Sequence, residues 1–324
     1  MVKFLVEQGA DVNLSSVLGV HWDSNPLVEA AHNGNIELVQ YLISKGANVH
    51  YNRTDQNALI AACSSGQSDV LKVLLDHGAD INTHLQFDGT TCMHHACKRG
   101  DLEMVKFLLD QGADINILDR HDITPFAIVF EKRNNELITY LLQQGADPNC
   151  YVSDHFYGWD PLMSAVYDND ISLMTLLIQY GADLNNSIQM EGGDTKKYIR
   201  VLSPLVVACE FGCIDAAKHL LEHGADVNQV FNHYAQNDTS LICLFRTDSW
   251  AREQHQQHRN EGDEGEGAID LSPDQLACLK LLLEYGADLS ITNTIGNTVL
   301  DYVKGRRGII RLLNEYIDIE PILK

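Results

Sequence analysis

The sequence predicts an all-α repeat solenoid, in which stacked helix-turn-helix repeats each contact only their neighbours. The first observation is a fixed spacing: six Thr, Asn, Asp or Ser residues are each followed 21 positions later by a Gly-Ala pair, as Asn25 is by Gly46. These anchors are Asn25, Asn57, Thr91, Thr124, Asp160 and Ser203. The second observation is a period of about 33 residues, which is typical of stacked repeats and not of a globular enzyme core. The third is a hydrophobic content of 45%, which is enough to bury a core.

Both ends and the seventh repeat depart from this spacing. The chain opens with only the second helix and turn of a repeat, which leaves Phe4 and Leu5 poorly covered, so we expect it to be the remainder of a longer product. The seventh repeat begins at Thr239 and reaches Gly286 after 47 positions, 26 more than the usual 21. The resulting division is an incomplete repeat at 1–16, repeats at 17–50, 51–83, 84–117, 118–150 and 151–186, a repeat with a long preceding finger at 187–229, a repeat with a disordered acidic insertion at about 247–272 within 230–290, and a capping repeat at 291–324.

Each complete repeat is predicted to begin with a short helix. In the first complete repeat, at 17–50, Asn25 is a natural N-cap. Pro26 suits the first helical position because its missing N–H has no intrahelical partner there. Paired small residues such as Ala62-Cys63 let neighbouring short helices approach closely. A glycine such as Gly100 then ends the helix in the left-handed conformation.

A second, amphipathic helix is predicted to follow. Between positions 101 and 109 the apolar residues recur with the helical period, namely Leu102, Val105, Phe107, Leu108 and Leu109. Gly112 ends this helix, and the segment Ala113–Asn116 leads through a tight turn into the next repeat.

These repeats resemble the ankyrin repeat. Thr124-Pro125-Phe126-Ala127 and Thr91-Cys92-Met93-His94 are similar to its Thr-Pro-Leu-His box, and Gly112–Asn116 and Gly224–Asn228 are similar to its Gly-Ala-Asp-x-Asn signature. The resemblance covers nearly the whole chain. It implies ankyrin-type repeats joined by β-hairpin-like turns and curved around a concave groove, but it says little about function, because such arrays bind very different partners.

Two further expectations come from the resemblance alone. The histidine of the box, His94, is expected to hydrogen-bond the backbone of a neighbouring turn. Many similar proteins are also hydroxylated at the turn asparagine, which here implies Asn82, Asn116 or Asn149.

The composition excludes several classes of function. The net charge is −22, from 23 basic and 45 acidic residues, and such a surface repels nucleic acid and anionic membranes. No run approaches the roughly 18 apolar residues of a membrane span, and the amphipathic start enters directly into a repeat, so we expect no signal peptide. Cys63, Cys97 and Cys209 each lie six positions after an anchor. We therefore expect reduced packing cysteines and a cytoplasmic location, with the nucleus as the alternative.

We find no arrangement of residues typical of catalysis. The sequence contains no Walker loop, no dinucleotide glycine motif after a strand, no nucleophile elbow and no zinc-protease helix. The pair His255 and His258 lacks a cysteine or carboxylate cluster at ligand spacing. The sequence therefore predicts neither an enzyme nor a cofactor or metal site.

Three irregular segments leave alternatives open. In the fourth complete repeat, at 118–150, Val129-Phe130 replaces the small pair and Arg133 stands where the helix-ending glycine belongs, which indicates either local repacking or a bend of the solenoid. Residues 187–201 are predicted to form a protruding hairpin, either neutral or used for binding. The acidic, glycine-rich stretch 261–267 lacks apolar residues and is predicted to be disordered.

The candidate binding surface combines the turn before each anchor with the positions at the end of the first helix, which form the concave face in ankyrin-like arrays. Aromatic residues gather near the anchor Asp160, and basic residues gather in the preceding repeats. The alternative is that the charged residues are merely solvated and the aromatic rings pack turn against turn. The candidates are Trp22, Arg53, Phe87, Lys98, Arg99, Arg120, His121, Lys132, Arg133, Phe156, Tyr157, Trp159 and Tyr167.

The predicted function is that of a non-enzymatic scaffold or adaptor that binds partners in its groove, because short repeats expose a shallow groove and not a closed pocket that excludes water. We expect a monomer that binds other proteins, best an extended acidic segment with one or two large apolar residues, and neither nucleic acid nor membrane. Two alternatives are a targeting module of a larger regulatory protein, such as a ubiquitin-ligase receptor, and an accessory domain of an enzyme whose catalytic part lies elsewhere.

Overall fold

The computed structural model is nearly all helical and divides into two compact units, Met1–Asp154 and His155–Lys324. It describes residues 1–14, 25–53, 56–152, 159–191, 199–230, 232–233, 235–236, 239–245, 271–304 and 306–316. Helices occur mostly in pairs, a short one followed by a longer one, as the repeat pattern predicts. No helix in these ranges is both long and apolar enough to cross a membrane.

The N-terminal unit contains the first five repeats of the predicted division. Its elements are α1 (Val2–Glu7), α2 (Pro26–His32), α3 (Ile36–Ser44), β1 (Asn52–Arg53), β2 (Gln56–Asn57), α4 (Ala58–Ser64), α5 (Ser68–Asp76), α6 (Cys92–Arg99), α7 (Leu102–Asp110), α8 (Pro125–Glu131) and α9 (Asn135–Gln143). The two strands pair antiparallel through Asn52 and Asn57. Helix α4 packs between α2 and α6, and α6 packs against α8.

The C-terminal unit repeats the same pairing and ends in two further helices. Its elements are α10 (Pro161–Tyr167), α11 (Ile171–Gln179), β3 (Ile188–Glu191), β4 (Ile199–Leu202), α12 (Pro204–Phe211), α13 (Ile214–Glu222), β5 (Asn232–His233), β6 (Ala235–Gln236), α14 (Ser240–Cys243), α15 (Pro273–Glu284), α16 (Val299–Val303) and α17 (Arg307–Tyr316). Helix α12 packs against α10, α13, α14 and α15.

The anchors act as helix caps, as predicted. Asn25 Oδ1 accepts the Val28 N–H at 2.9 Å, and Asp160 Oδ1 accepts the Met163 N–H at 2.7 Å. Each bond satisfies one of the backbone donors that a helix leaves unpaired in its first turn, and such a cap contributes about 1 kcal/mol.

The irregular repeat at 118–150 keeps the common backbone course. Gly100 ends α6 with a φ of 72°, and Arg133 takes a φ of 54° after α8, so an arginine adopts the left-handed conformation that glycine supplies elsewhere. Its guanidinium carbon lies 5.9 Å from the Phe130 ring centroid, a cation–π contact that offsets part of the strain. Phe130 itself is fully buried against Phe126. The departure is accommodated by local repacking.

The core consists of apolar residues from both helices of each repeat. Leu42, Leu74 and Leu108 occupy the second helices of three successive repeats, and all three are completely buried. Burying a side chain of this kind contributes about 1.5–3 kcal/mol. All eight cysteines are free thiols, and Cys63, Cys97 and Cys209 are buried packing residues, as predicted.

The two predicted insertions are only partly described. Strands β3 and β4 pair antiparallel, with Ile188 opposite Leu202, so the base of the predicted hairpin is confirmed. Most of the predicted insertion at about 247–272, including 261–267, lies outside the described residues. Its last residue, Ser272, already caps α15 through a reciprocal pair of bonds with Gln275.

Two large apolar side chains of α1 are poorly covered, as expected. Phe4 is 62% exposed and Leu5 is 49% exposed. A cleft of about 660 Å³ is lined by residues that include Val2, Leu14 and Pro26.

Candidate protein-interaction surface

The turn asparagines connect one repeat to the next through both ends of their amide groups. Asn116 Nδ2 donates to Gly145 O at 3.2 Å, and its Oδ1 accepts the Asp147 N–H at 2.9 Å. Asn82 makes the same pair of bonds to Gly112 O and Asp114 N, at 3.5 and 2.9 Å. The amides of these two residues therefore hold the turns in register.

Asn149, the third candidate for hydroxylation, is bound to the aspartate two positions earlier. Its backbone N–H and its Nδ2 both donate to Asp147 Oδ1, at 2.9 and 3.1 Å. The side chain is exposed, as is that of Asn116.

The predicted basic residues lie at the ends of consecutive first helices, where they also tie the helices together. Arg99 Nη1 donates to Ser64 O of the preceding repeat at 3.0 Å, and Lys132 Nζ donates to Lys98 O at 2.6 Å. Arg99 also lies 3.8 Å from Asp101, and its side chain is 42% exposed. These positive groups are therefore held in place by the backbone but still reach solvent.

The turns of the third and fourth complete repeats carry an exposed aromatic residue beside further positive groups. Phe87 is 76% exposed, and Arg120 Nη1 donates to its carbonyl at 3.2 Å. His121 is exposed and is positioned by its N–H, which donates to Asp119 Oδ1 at 2.8 Å. We call Phe87, Lys98, Arg99, Arg120, His121 and Lys132 the turn-helix surface.

His94 has the backbone-bridging role that was predicted for it. The Thr91 N–H donates to its Nδ1 at 3.2 Å, so that nitrogen is the acceptor. Nε2 must then carry the proton, and it donates to Ile123 O of the next turn at 3.0 Å. Burial lowers the pKa of His94, against the opposing effect of the bond to Ile123. The residue is a structural link, and it is not accessible for catalysis.

The prediction that Trp159 is an exposed anchor is wrong, because the indole is only 2% exposed. Its ring centroid lies 5.2 Å from that of Tyr167 and 6.2 Å from that of Phe211, and Tyr167 lies 4.8 Å from Phe211. All three pairs are edge-to-face, the favourable arrangement for aromatic rings. The alternative that aromatic rings pack against one another therefore holds for Trp159. Tyr167 remains 44% exposed at the edge of this cluster.

Sequence reasoning left Phe211 out of the candidate site although it completes this cluster. The signal was its slot, eight positions after the anchor Ser203, the same slot that Arg99 occupies after Thr91. Trp22, Phe156 and Tyr157 lie outside the described residues. Arg53 is placed only by its backbone in β1.

Among the residues that the structure describes, no group of three or more histidine, cysteine or carboxylate side chains is arranged to hold a metal ion. The surface features are therefore exposed rings, positive side chains and backbone-bound amides. These groups suit the binding of another macromolecule more than bond-breaking chemistry, because none of them is enclosed in a pocket that excludes water.

Comparison with known proteins identifies the repeats. A family model described as "Ankyrin repeats (3 copies)" matches residues 1–84, 82–152 and 132–231. The chain is similar to the Homo sapiens protein "Ankyrin repeat and KH domain-containing protein 1", with 44% identity over 50 residues. That match covers 15% of this chain and 2% of the human protein, so the chain corresponds to a small part of its curated relative.

A solved structure supports the same assignment. The chain is similar to the ankyrin repeat domain of Bcl-3, described as a unique member of the IkappaB protein family, with a TM-score of 0.53 and 26% identity. The match covers 69% of this chain and 95% of that domain.

Proposed function

Because the chain belongs to the ankyrin repeat family, we propose that it is a non-enzymatic scaffold or adaptor that binds partner proteins through its turn-helix surface. Ankyrin repeats generally mediate protein–protein interaction, and their fold is typically an interaction module. The observation that carries the proposal is Phe87, whose side chain is 76% exposed and whose backbone carbonyl accepts a hydrogen bond from the guanidinium group of Arg120. Aromatic residues and arginine are the usual anchors of protein interfaces.

The charge of this surface indicates the chemistry of the partner. Lys98, Arg99 and Lys132 are exposed on a chain whose net charge is −22. Adjacent first helices pack at about 10 Å, which is close to the Debye length of about 10 Å at 0.1 M ionic strength, so these groups act on a ligand together. We propose an extended acidic segment with one or two large apolar residues as the ligand.

Other candidates supplement this surface in the proposal. Trp22 would extend it within the N-terminal unit, Phe156, Tyr157 and Tyr167 are proposed as separate contacts on the C-terminal unit, and the protein would act as a monomer in the reducing cytoplasm or nucleus. Asn82, Asn116 and Asn149 stay proposed hydroxylation sites, and a mass increase of one oxygen atom on their peptides would establish the modification.

The experiment selects ligands from a peptide display library with the whole chain as bait and then measures the kinetics of the enriched peptides. We expect enrichment of peptides that combine carboxylates with a large apolar residue. Phe87→Ala should mainly speed dissociation and weaken binding by at least about 1 kcal/mol, because a buried ring is lost. Lys98→Glu should mainly slow association and reduce its dependence on salt.

Two control variants match these changes in the same unit. Phe4→Ala removes an aromatic ring of similar exposure from α1, and Lys72→Glu reverses an exposed charge on the second helix α5. Both should leave the kinetics as in the parent. Enriched peptides that bind Phe87→Ala and Lys98→Glu as tightly as they bind the controls would show that the interface lies elsewhere.

A further inference from the structure

Two histidines lie one helical turn apart near the end of α13. His219 is inside the helix, and His223 is its C-terminal cap. Residues four positions apart share a face of a helix, and here the two ring centroids are only 4.3 Å apart, with the rings inclined at 44°. His223 is exposed and His219 is half-buried, so solvent reaches the pair.

The hydrogen bonds around His219 determine which of its nitrogens carries the proton. Nε2 lies 3.0 Å from Thr175 Oγ1 on α11. The Thr175 hydroxyl already donates its single proton to Ile171 O, at 2.7 Å, so it can only accept from the histidine. His219 is therefore protonated at Nε2, and Nδ1 keeps a lone pair.

His223 is fixed by the same reasoning in the opposite tautomer. Its Nδ1 lies 2.8 Å from the carbonyl oxygen of His219, which can only accept, so Nδ1 carries the proton. Nε2 is left with the lone pair. Burial, followed by the neighbouring His223 ring, lowers the pKa of His219, which favours the neutral ring that a metal ion requires.

We propose that His219 and His223 form a two-histidine site for a late first-row divalent cation, with Cu²⁺ bound more tightly than Zn²⁺. Imidazole suits both ions, and the order follows the general affinity series for such ligands. A ligating histidine nearly always donates its other N–H to an oxygen, and both rings already do so, to Thr175 Oγ1 and to the His219 carbonyl.

The geometry and the charge agree with this assignment. Two nitrogens that each lie about 2.0–2.1 Å from one ion are roughly 3 Å apart, and the two rings are already in contact, with centroids 4.3 Å apart. Because no third ligand is grouped with the pair in the described part of the chain, water completes the coordination. The net charge of −22 raises the concentration of cations near the surface.

The bound ion would join two successive turns of α13 at its C-terminal end. It would also strengthen the link to α11, because coordination holds the His219 ring in the orientation that donates to Thr175. Since the unfolded chain does not present the two rings together, binding stabilises the folded state.

The chain offers a matched control in His77. It occupies the C-terminal cap of α5, as His223 does in α13, and its Nδ1 likewise lies 2.8 Å from the carbonyl oxygen four residues earlier. The residue at that earlier position is Val73, where α13 has His219. His77 therefore reproduces one half of the site without the other.

The test is calorimetric titration of the whole chain with Cu²⁺ alone and with Zn²⁺ alone. His255 and His258, which lie outside the described residues, are replaced by glutamine in every sample. We expect about one equivalent of Cu²⁺ in the parent and in His77→Gln, and weaker binding of Zn²⁺. Both His219→Gln and His223→Gln should weaken binding of Cu²⁺ at least about tenfold, with helical circular dichroism unchanged.

A gain-of-site variant provides the second arm. Val73→His should create an equivalent pair with His77 and add a second equivalent of Cu²⁺. Binding that persists in His219→Gln and His223→Gln, or is absent from the parent, would overturn the proposal. A Val73→His variant with unchanged stoichiometry would likewise contradict the assignment of binding to two histidines one turn apart at a helix end.

Discussion

Single polar side chains in this protein connect one repeat to the next. His94 accepts the Thr91 N–H within its own repeat and donates to Ile123 O in the following turn. Such a residue satisfies two groups that would otherwise lose their hydrogen bonds on burial, and leaving one of them unpaired costs about 1–3 kcal/mol. Because His94 accepts at one ring nitrogen and donates from the other, its protonation state affects the free energy of unfolding.

The first prediction concerns pH. Burial lowers the pKa of His94 and of His95, so the folded chain binds fewer protons than the unfolded chain, whose histidines titrate near about 6.5. Stability is therefore fully present above that value and is lost as the pH falls from about 6.5 toward the depressed folded pKa. The urea midpoint should drop between about pH 7.5 and about pH 5.5, and it should drop less in His94→Gln.

The control for this prediction is His121→Gln, because His121 is exposed. Its midpoint should change with pH as in the parent. An equal loss in the parent and in His94→Gln would show that His94 does not contribute to the acid sensitivity.

The roles of individual residues were predictable where they depend on local geometry. The anchors were identified as caps because Asn, Thr, Asp and Ser bear a short acceptor, and this holds for Asn25 and Asp160. The burial of Trp159 was not predictable, because an aromatic residue in a turn can serve as an anchor or pack inward. Trp159 packs inward because it meets Phe211 of the following repeat. The distance between these two rings depends on how the repeats stack.

The second helices contribute completely buried residues to the core. Helix α7 places Leu108 in the core with no exposure to solvent, next to Met104 and Val105, which are also buried. Of the five residues that the helical period predicted for the apolar face, only Val105 and Leu108 are fully enclosed. Leu102, Phe107 and Leu109 are half-buried.

Replacing Leu108 by alanine should lower the free energy of unfolding by about 2–5 kcal/mol, because it leaves a cavity that the surrounding helices cannot close. Chemical denaturation followed by circular dichroism measures the loss. Leu118→Ala is the comparison, since Leu118 is 48% exposed, and it should change stability by less than about 1 kcal/mol. Equal effects of the two substitutions would contradict the assignment of α7 to the core.

The length of each helix was easier to predict than the path of the chain between helices. Anchors and glycines mark where helices begin and end, but nothing in residues 187–201 specifies the register of β3 and β4. That register depends on backbone pairing such as Ile188 with Leu202. Side-chain patterns in so short a hairpin do not determine it.

The whole chain is a series of similar repeats, so its stability is a sum of repeats and the junctions between them. Deleting residues 79–112 joins Gly78 to Ala113 and removes α6 and α7. Helix α4 should then pack against α8, because Cys63 lies six positions after its anchor and so occupies the slot that Cys97 has in α6. We expect a shorter folded array that melts at a lower temperature.

Circular dichroism of the deletion variant measures this outcome, with helical signal per residue close to that of the parent. A variant that ends at residue 90 serves for comparison. It breaks the repeat at 84–117 between its turn and its helices, so its last turn should lack a packed helix pair. A random-coil spectrum for the 79–112 deletion would contradict the repeat-array description.

The asparagine bonds at the turns carry a consequence for the history of the gene. The side chain of Asn116 hydrogen-bonds backbone atoms of the following turn, the carbonyl of Gly145 and the N–H of Asp147. Asn82 does the same one repeat earlier. A tandem copy of the DNA that encodes one repeat therefore yields a protein in which the new junction can form these bonds, whichever codon begins the copied segment. A copy of half a repeat leaves a turn with no partner. Inheritance thus favours changes of length by whole repeats, and unequal crossing-over between similar repeats provides them.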